Sequence, residues 1–410
     1  MPSLPLSDFF TLVIRFAITP MSPANRCSEG SPLTRAFPHT VAGLNARYDD
    51  QNDRFAGAFR ILEEAIVARS FPAASIAVTC QGQLVALRAL GHFTYDIESF
   101  QPSPETLFDL ASLTKVVATT SMAMLLYQRG LLDLDLPVIS VTGEFAGTDP
   151  RRDEVTFRML LAHSSGLPAY ERLFLHAHTR EELLDAAFAV PLANEPGSHA
   201  QYSDIGFIVL GVALERLADE TLDRFCQREI FGPFGMQRTT FNPIPEMRSA
   251  IPPTADDQTL RHRIIQGEVQ DENASVLGGV AAHAGLFATA QDVAIFAHAL
   301  IQGGGSVFRP ETISLFAQRV SSPEGSSRAL GWDTPSSPSQ SGKYFSPHSF
   351  GHLGYTGTSL WIDPDRRLSI TLLTNRTWPD CQSKEIQKIR PRFHDAVAEA
   401  LSLSGSSHSA

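Results

Sequence analysis

Lysine is almost missing from this chain. It occurs only at positions 115, 343, 384 and 388, and arginine supplies the other 29 of the 33 basic residues. A sequence that writes Arg for a plain positive charge has a separate use for Lys115, the one lysine in its first 342 residues. A desolvated lysine can become a neutral amine, and arginine cannot. Cysteine is as scarce: Cys27, Cys80, Cys226 and Cys381 are far apart and form no C-x-x-C pair, which argues against a zinc ribbon or a disulfide scaffold and leaves the redox compartment open. No run of 18 uninterrupted apolar residues exists, so no transmembrane helix is expected. No basic cluster offers a phosphate-binding face, and the net charge of −11 speaks against nucleic acid as a partner.

What remains is an ordinary globular composition, 43% hydrophobic and 19% charged, in 410 residues. That length buries a large core as one big domain or two lobes. The N-terminal MPSLPLSDFFTLVIRFAITP has an apolar stretch of signal-peptide length. However, no basic residue precedes it, Asp8 sits at its edge and Arg15 interrupts it. Residues 1–45 are therefore read as a poorly ordered extension, with Met21 as an alternative start. A degenerate signal is the lesser alternative, and a cytoplasmic location is favoured over a periplasmic or secreted one.

Periodicity then divides the chain. Residues 53–69 repeat with helical spacing, and SIAVTC and LVALRALG read as two strands of a hairpin about QGQ. From Ser112 to about Gly130 the sequence is apolar nearly all round, as a buried central helix would be. Pro- and Gly-punctuated helical pieces follow: Thr156 capping FRMLLAHSSG, then residues 181–190, 206–218 and 291–301. Residues 321–349 read as a Ser/Pro/Gly-rich surface loop. SLWID and LSITLLT form a second hairpin about Asp363-Pro364-Asp365, and residues 385–403 a closing amphipathic helix. Strands from both ends most simply share one antiparallel sheet flanked by helices. The expected fold is α/β (α+β), one catalytic domain over 46–400, with a mostly helical lobe of about 112–300 inserted between 50–111 and 301–400.

Lys115 sits in FDLASLTKVVATT, three residues after Ser112 and hence on the same helical face. Burying an unpaired ammonium there costs several kcal/mol or forces its pKa down. A serine nucleophile with a lysine base one turn away is a chemical reason for keeping it. The N-terminus of a buried helix also favours a developing oxyanion at Ser112. Two further polar clusters stand out. EPGSHAQYSDIGFIVLG places Tyr202 and Asp204 around Ser203 before an apolar helix, and FGHLGYTGTSLWIDP has glycines 351, 354 and 357 where backbones approach closely. Taken singly, the first is a helix cap over a packed Tyr and the second a twisted edge strand with a surface His352.

In this order, SLTK, YSD and HLG resemble the Ser-x-x-Lys, Tyr-x-Asn and Lys/His-Thr-Gly motifs of the serine β-lactamase and penicillin-recognising hydrolase superfamily, in its class C-like branch. That branch includes D-alanyl-D-alanine carboxypeptidases, carboxylesterases and amidases. MLLAHSSGLP, IFGPFGMQRTTF and GGVAAHAGLFATAQDVAIFA are similar to its other landmarks, from about residue 55 to 380. The resemblance implies a β-lactamase/transpeptidase-like fold and an acyl-enzyme serine hydrolase that needs no cofactor or metal. Ser112 would be the nucleophile. Lys115 and Tyr202 would share the proton work, the tyrosine acting as base while ionised or hydrogen-bonded beside the lysine. The backbone N–H groups of Ser112 and Tyr355 would form the oxyanion hole, and Asp204, His352 and Gly354 would line the substrate. The substrate would be a small-molecule or peptide acyl compound, and the sequence sets no oligomeric state.

Two departures bear on substrate. Asp204 replaces an amide donor by an acceptor that can carry charge. His352-Leu353-Gly354 lacks both the lysine and the hydroxyl that hold a β-lactam carboxylate, and a histidine titrating near neutrality is only partly charged. Esterase, amidase or peptidase action is expected ahead of β-lactamase activity. A non-catalytic penicillin-fold sensor is the alternative from another class. A metal hydrolase lacks a third ligand beside His176 and His178. An α/β-hydrolase esterase lacks any serine flanked by glycine at both −2 and +2. His163 and His283 are read as structural and left outside the site.

Overall fold

The structure, a computed structural model, describes residues 44–402. The expectation for residues 1–45 thus lies outside the described residues except at its last two positions. The first part of the chain contributes strands β1 (Asn45–Ala46), β2 (Ala73–Cys80) and β3 (Gln83–Gly91). The middle contributes β4 (Phe108–Asp109), β5 (Thr240–Phe241), β6 (Pro253–Asp257), β7 (Arg263–Gln266) and β8 (Leu286–Ala288). The last part adds β9 (Phe350–Leu353), β10 (Ser359–Asp363) and β11 (Leu368–Thr374). Five principal helices accompany them: α1 (Ala56–Val67), α2 (Ser121–Gln128), α3 (Asp204–Ala218), α4 (Ala290–Ile301) and α5 (Ile386–Ala400).

One six-stranded sheet, in the order β1-β3-β2-β11-β10-β9, joins the two ends of the chain. It is antiparallel except for the short parallel pairing of β1 with β3. Alternation explains why helices cover both faces. Ile76 and Val78 stand opposite Leu372 and Ile370 and face α1 and α5, with Phe59, Leu62 and Phe393 in the same cluster. The intervening Ala73 and Ala77 face the other way, into the cluster that contains Val293, Ala294 and Ala297 of α4. Small residues on that side let α4 lie close to the strands.

Pro391 lies inside α5 and cannot donate to the carbonyl of Gln387. The amide of Gln340 donates to that carbonyl instead, at 3.0 Å. One expectation gains detail and one needs correcting. The middle is mostly helical and also carries short strands: β4, β8 and β5 form a three-stranded sheet and β6–β7 a hairpin. Short strands of two to five residues carry too little periodicity to be read. The 321–349 segment is also not simply a surface loop. Ala329, Leu330 and Trp332 are buried, and Asp333 pairs with Gly351 on the edge of β9.

Candidate active site

The residues around Ser112 are held by a strained turn. Ala111 has φ +46°, a left-handed backbone that costs a non-glycine residue of order 1–2 kcal/mol. Its N–H donates to Asp109 Oδ1 at 2.8 Å, and the carbonyls of Asp109 and Leu110 accept from Thr356 Oγ1 and Thr358 Oγ1 at 2.8 and 2.9 Å. The β9–β10 connection therefore packs directly on the serine turn. Gly354 permits that approach, since a Cβ there would overlap Thr358 Oγ1 and the Leu110 carbonyl. The helix begins as one 3-10 turn at Ala111–Leu113, widens to a π-helical stretch at Lys115–Thr120 and continues as α2. Such widenings are frequent at functional sites.

Tyr202 and Asp204 reach the same point by a different device. Ser203 is extended, and its hydroxyl accepts from Gly206 N–H at 2.9 Å while donating to the Pro168 carbonyl at 2.6 Å. It thereby caps α3. Residues on either side of an extended residue project to the opposite side, which sends Tyr202 and Asp204 together toward Ser112. Tyr202 Oη donates to Ser112 Oγ at 2.6 Å and is 3.1 Å from Asp204 Oδ1.

Lys115 is fully buried and has three neighbours: Ser112 Oγ at 3.1 Å, Asp204 Oδ1 at 2.6 Å and the His283 carbonyl at 2.8 Å. Burial pushes its pKa down, and the charge and hydrogen bond of Asp204 work in the opposite direction. The carbonyl can only accept, and the carboxylate also accepts, so two N–H bonds of Lys115 are committed in either protonation state. The third direction, toward Ser112, holds a proton in the ammonium and a lone pair in the amine. Asp204, which the sequence places on the substrate side, thus also pairs with Lys115. Burial first, and then the charge of Asp204, hold the Tyr202 phenol well above its ordinary pKa. That direction favours the hydrogen-bonded phenol over the ionised form.

His352 is buried, not a surface residue. Its Nδ1 is 2.8 Å from the Leu353 carbonyl, which can only accept, so Nδ1 carries the proton. Burial, followed by the charges of Lys115 and Arg328, holds its pKa well below the ordinary value. The expected partial charge is thus disfavoured at neutral pH, and Nε2 is a buried lone pair without a partner among the described residues. Ser112, Tyr202, Asp204, His352, Gly354 and Tyr355 all line one cavity of about 770 Å³, and Lys115 lies behind its wall.

Four residues outside the expected set support this arrangement. His163 Nδ1 accepts from the Ser203 N–H at 3.0 Å, and its ring lies against Tyr202 and Phe207. His283 presents its carbonyl to Lys115 and bonds Asp271 through Nε2 at 2.9 Å. Asp109 is buried and accepts from Ala111 and Gln270 N–H groups. Arg328 lies over the Tyr202 ring, 5.6 Å from its centroid. Glycine beside His163 and His283 was the available sequence signal for the histidines. Nothing local marked Asp109 or Arg328.

A family model described as Beta-lactamase matches residues 59–389. A putative D-alanyl-D-alanine carboxypeptidase of Escherichia coli K12 is 30% identical over 381 residues, covering 84% of this chain and 86% of that protein. A protein of the same description from Salmonella agona is 30% identical over 345 residues, covering 75% and 79%. Among solved structures, EstCE1, described as a hydrolase with promiscuous acyltransferase activity, has a TM-score of 0.70 at 20% identity, over 85% of this chain and 99% of that one. An octameric penicillin-binding protein homologue from Pyrococcus abyssi has a TM-score of 0.64 at 21% identity, over 85% and 77%. At these identities the structural likeness is one of fold.

Proposed function

The chain belongs to the beta-lactamase family, and from that premise we propose a serine hydrolase that cleaves an ester or amide through an acyl-enzyme on Ser112, with D-alanyl peptides or carboxylic esters as substrates. The observation that carries this reading is the placement of Ser112 Oγ between two proton-handling groups, Lys115 Nζ at 3.1 Å and Tyr202 Oη at 2.6 Å.

The geometry supports a division of labour. With two N–H bonds held by His283 and Asp204, the amine form of Lys115 turns its lone pair to Ser112 and takes the hydroxyl proton as Oγ attacks the acyl carbon. The backbone N–H groups of Ser112 and Tyr355 receive the oxyanion. Tyr202, a phenol at rest, gives its proton to the leaving oxygen or nitrogen as the acyl–heteroatom bond breaks. Lys115, now an ammonium, returns the proton to the phenolate through their shared neighbours. Deacylation repeats the cycle with water as the nucleophile. Asp204 stabilises the ammonium formed in each half.

The test is Ser112→Ala together with active-site labelling. The variant should fold normally and lose ester turnover by about 10⁴-fold or more, as expected for removal of a covalent nucleophile. A fluorophosphonate should mark the Ser112 peptide of the wild type. A label on Ser164, Ser165 or Ser203 would overturn the assignment.

A further inference from the structure

His283 and Asp271 stand behind Lys115, and the side chains of neither enter the chemistry described above. The segment that carries the histidine is rich in glycine, with Gly278, Gly279 and Gly285 all at positive φ. Such a backbone has little stiffness of its own. Hydrogen bonds fix its path along the nucleophile helix instead. Thr119 Oγ1 donates to the Ala282 carbonyl at 2.7 Å, and Leu286 N–H donates to Thr114 Oγ1 at 3.1 Å. Between these points the His283 carbonyl accepts from Lys115 Nζ at 2.8 Å, and the His283 imidazole is bonded through Nε2 to Asp271 Oδ1 at 2.9 Å. The ring is buried, and Nδ1 has no partner among the described residues, so a proton there would lack an acceptor. The ring proton belongs on Nε2 and is given to the carboxylate.

Asp271 is itself firmly placed. Its Oδ1 also accepts from Ala274 N–H at 2.8 Å, which caps the short helix Glu272–Val276. The preceding residue, Gln270, donates its N–H to Asp109 Oδ2 at 2.7 Å, and Asp109 Oδ1 accepts from Ala111 N–H in the serine turn at 2.8 Å. One buried carboxylate thus ties the Asp271 segment to the turn of Ser112. The next ties it, through His283, to the carbonyl that holds Lys115. The lysine also feels the charge of Asp271. Burial lowers its pKa; the charge and hydrogen bond of Asp204, and after them the charge of Asp271, oppose that, while Arg328 acts with burial. Tyr202, His163 and His352 are the other titratable groups around Lys115, and Asp109, Glu272 and Tyr170 are those around Asp271.

We propose that Asp271 and His283 are a pair of positioning residues, whose imidazole–carboxylate bond holds the peptide that aims Lys115 at Ser112. This rests on the acyl-enzyme reading above. The amine turns its lone pair to Ser112 only while its two N–H bonds stay committed to Asp204 and to the His283 carbonyl. If the peptide of His283 rotates, one N–H loses its acceptor and the lone pair loses its direction. A misplacement of about 1 Å in such a group costs on the order of 10²-fold in rate. The charge of Asp271 adds a second effect, since it favours the ammonium beside it. Both residues act through Lys115.

The experiment joins nitrophenyl butyrate turnover to an NMR titration of protein labelled at the lysine Cε. Lysine occurs only at 115, 343, 384 and 388, so the spectrum is sparse, and the signal missing from Lys115→Arg is that of Lys115. His283→Ala and Asp271→Ala should each lower kcat by about thirtyfold and leave KM within about threefold. The double variant should lose no more than either single one, because the two side chains act as a unit. Asp271→Asn keeps an acceptor for His283 Nε2 and Ala274 N–H, so it should lose less in kcat than Asp271→Ala. With the charge gone, the Lys115 titration and the acidic limb of kcat/KM should both move to lower pH. Thermal unfolding separates lost turnover from lost fold, and the nearly isosteric Asp271→Asn carries the test if His283→Ala does not fold. Losses that multiply in the double variant overturn the proposal, as does a folded His283→Ala protein with kcat within about threefold of wild type. A Lys115 titration unmoved by Asp271→Asn overturns it too. A titration that moves, in a protein whose Ser112 takes no fluorophosphonate label, would leave the pairing standing and remove the hydrolase reading.

Discussion

Two buried cations, Lys115 and Arg390, show how one kind of burial serves two ends. Both are nearly inaccessible, and both are pushed below their ordinary pKa first by desolvation. Arg390 donates to three backbone carbonyls from the β9–β10 connection, groups that exchange no protons. Lys115 meets one carbonyl, one carboxylate and one hydroxyl, and two of those can change protonation state. A cation surrounded by carbonyls is a structural clamp. One that shares acceptors with titrating neighbours is equipped for proton transfer. Depth of burial does not separate the two cases; the partners do.

Exchanging the lysine should produce the largest effect. Lys115→Arg keeps a positive charge but removes the ability to offer a lone pair near neutrality. Ester turnover should fall by about 10³-fold or more, with the loss in kcat. Thermal unfolding must be followed alongside, because the larger side chain has to fit a packed helix. A folded Arg variant with near-native kcat would place Lys115 in the same structural class as Arg390.

Arg390→Met should do the converse. It removes the guanidinium donor from the carbonyls of Gly354, Gly357 and Thr358; the first and last keep the Gly357 and Gly354 N–H groups, so the Gly357 carbonyl is the one left unpaired, at about 1–3 kcal/mol. A net destabilisation of about 2 kcal/mol is expected in denaturant unfolding. Residual activity of the folded fraction should stay within about tenfold of wild type. Loss of turnover without loss of stability would contradict the clamp.

The comparison also shows how far the sequence could be read. Ser112, Lys115 and Tyr202 were legible because each sits in a short motif whose order along the chain is itself informative, and the sheet because β2, β3, β10 and β11 each alternate over several residues. Arg328 was not, since 29 arginines give no reason to single out one. Its place over the Tyr202 ring is a property of the folded packing. The neutrality of His352 was equally hidden: the same residue in solvent would be partly charged, and only its enclosure and the neighbouring cations decide otherwise. The negative charge of Asp204 was read as facing substrate because its partner Lys115 lies 89 positions earlier.

Asp109 offers a third buried charge, of opposite sign. Burial pushes its carboxyl up to about 6, against the lowering effect of the Ala111 and Gln270 N–H groups. Its folded pKa exceeds the unfolded value near 4, so between those values the native state binds more protons than the unfolded one. Stability from this group is therefore greatest at low pH and declines as pH rises through about 4 to 6. Relative to Asp109→Asn, the wild type should lose on the order of 2 kcal/mol between pH 4 and 7. Parallel stability curves for the two proteins would show that Asp109 is not held as its burial implies.

The smallest effect should come from Asp204→Asn, which isolates the partner that distinguishes Lys115 from Arg390. With its carbonyl oxygen in the Oδ1 position, the amide still accepts from Lys115 beside the Tyr202 hydroxyl, so geometry should be kept and stability should change by less than about 1 kcal/mol. What disappears is the negative charge that favours the ammonium. Burial then acts on Lys115 with only the more distant charges of Asp271 and Arg328, which oppose each other, and its pKa moves further down. The amine is the form that accepts the Ser112 proton, so the acidic limb of the kcat/KM profile should shift to lower pH. At the same time the ammonium formed during attack loses its counter-charge, which opposes any gain in rate. The net change in kcat at neutral pH should stay within about tenfold, while the limb moves by about one unit. A limb that stays in place would mean that the titrating group is not Lys115. A limb that moves to higher pH would mean that Asp204 does not stabilise the ammonium, and the distinction drawn between the two buried cations would fail.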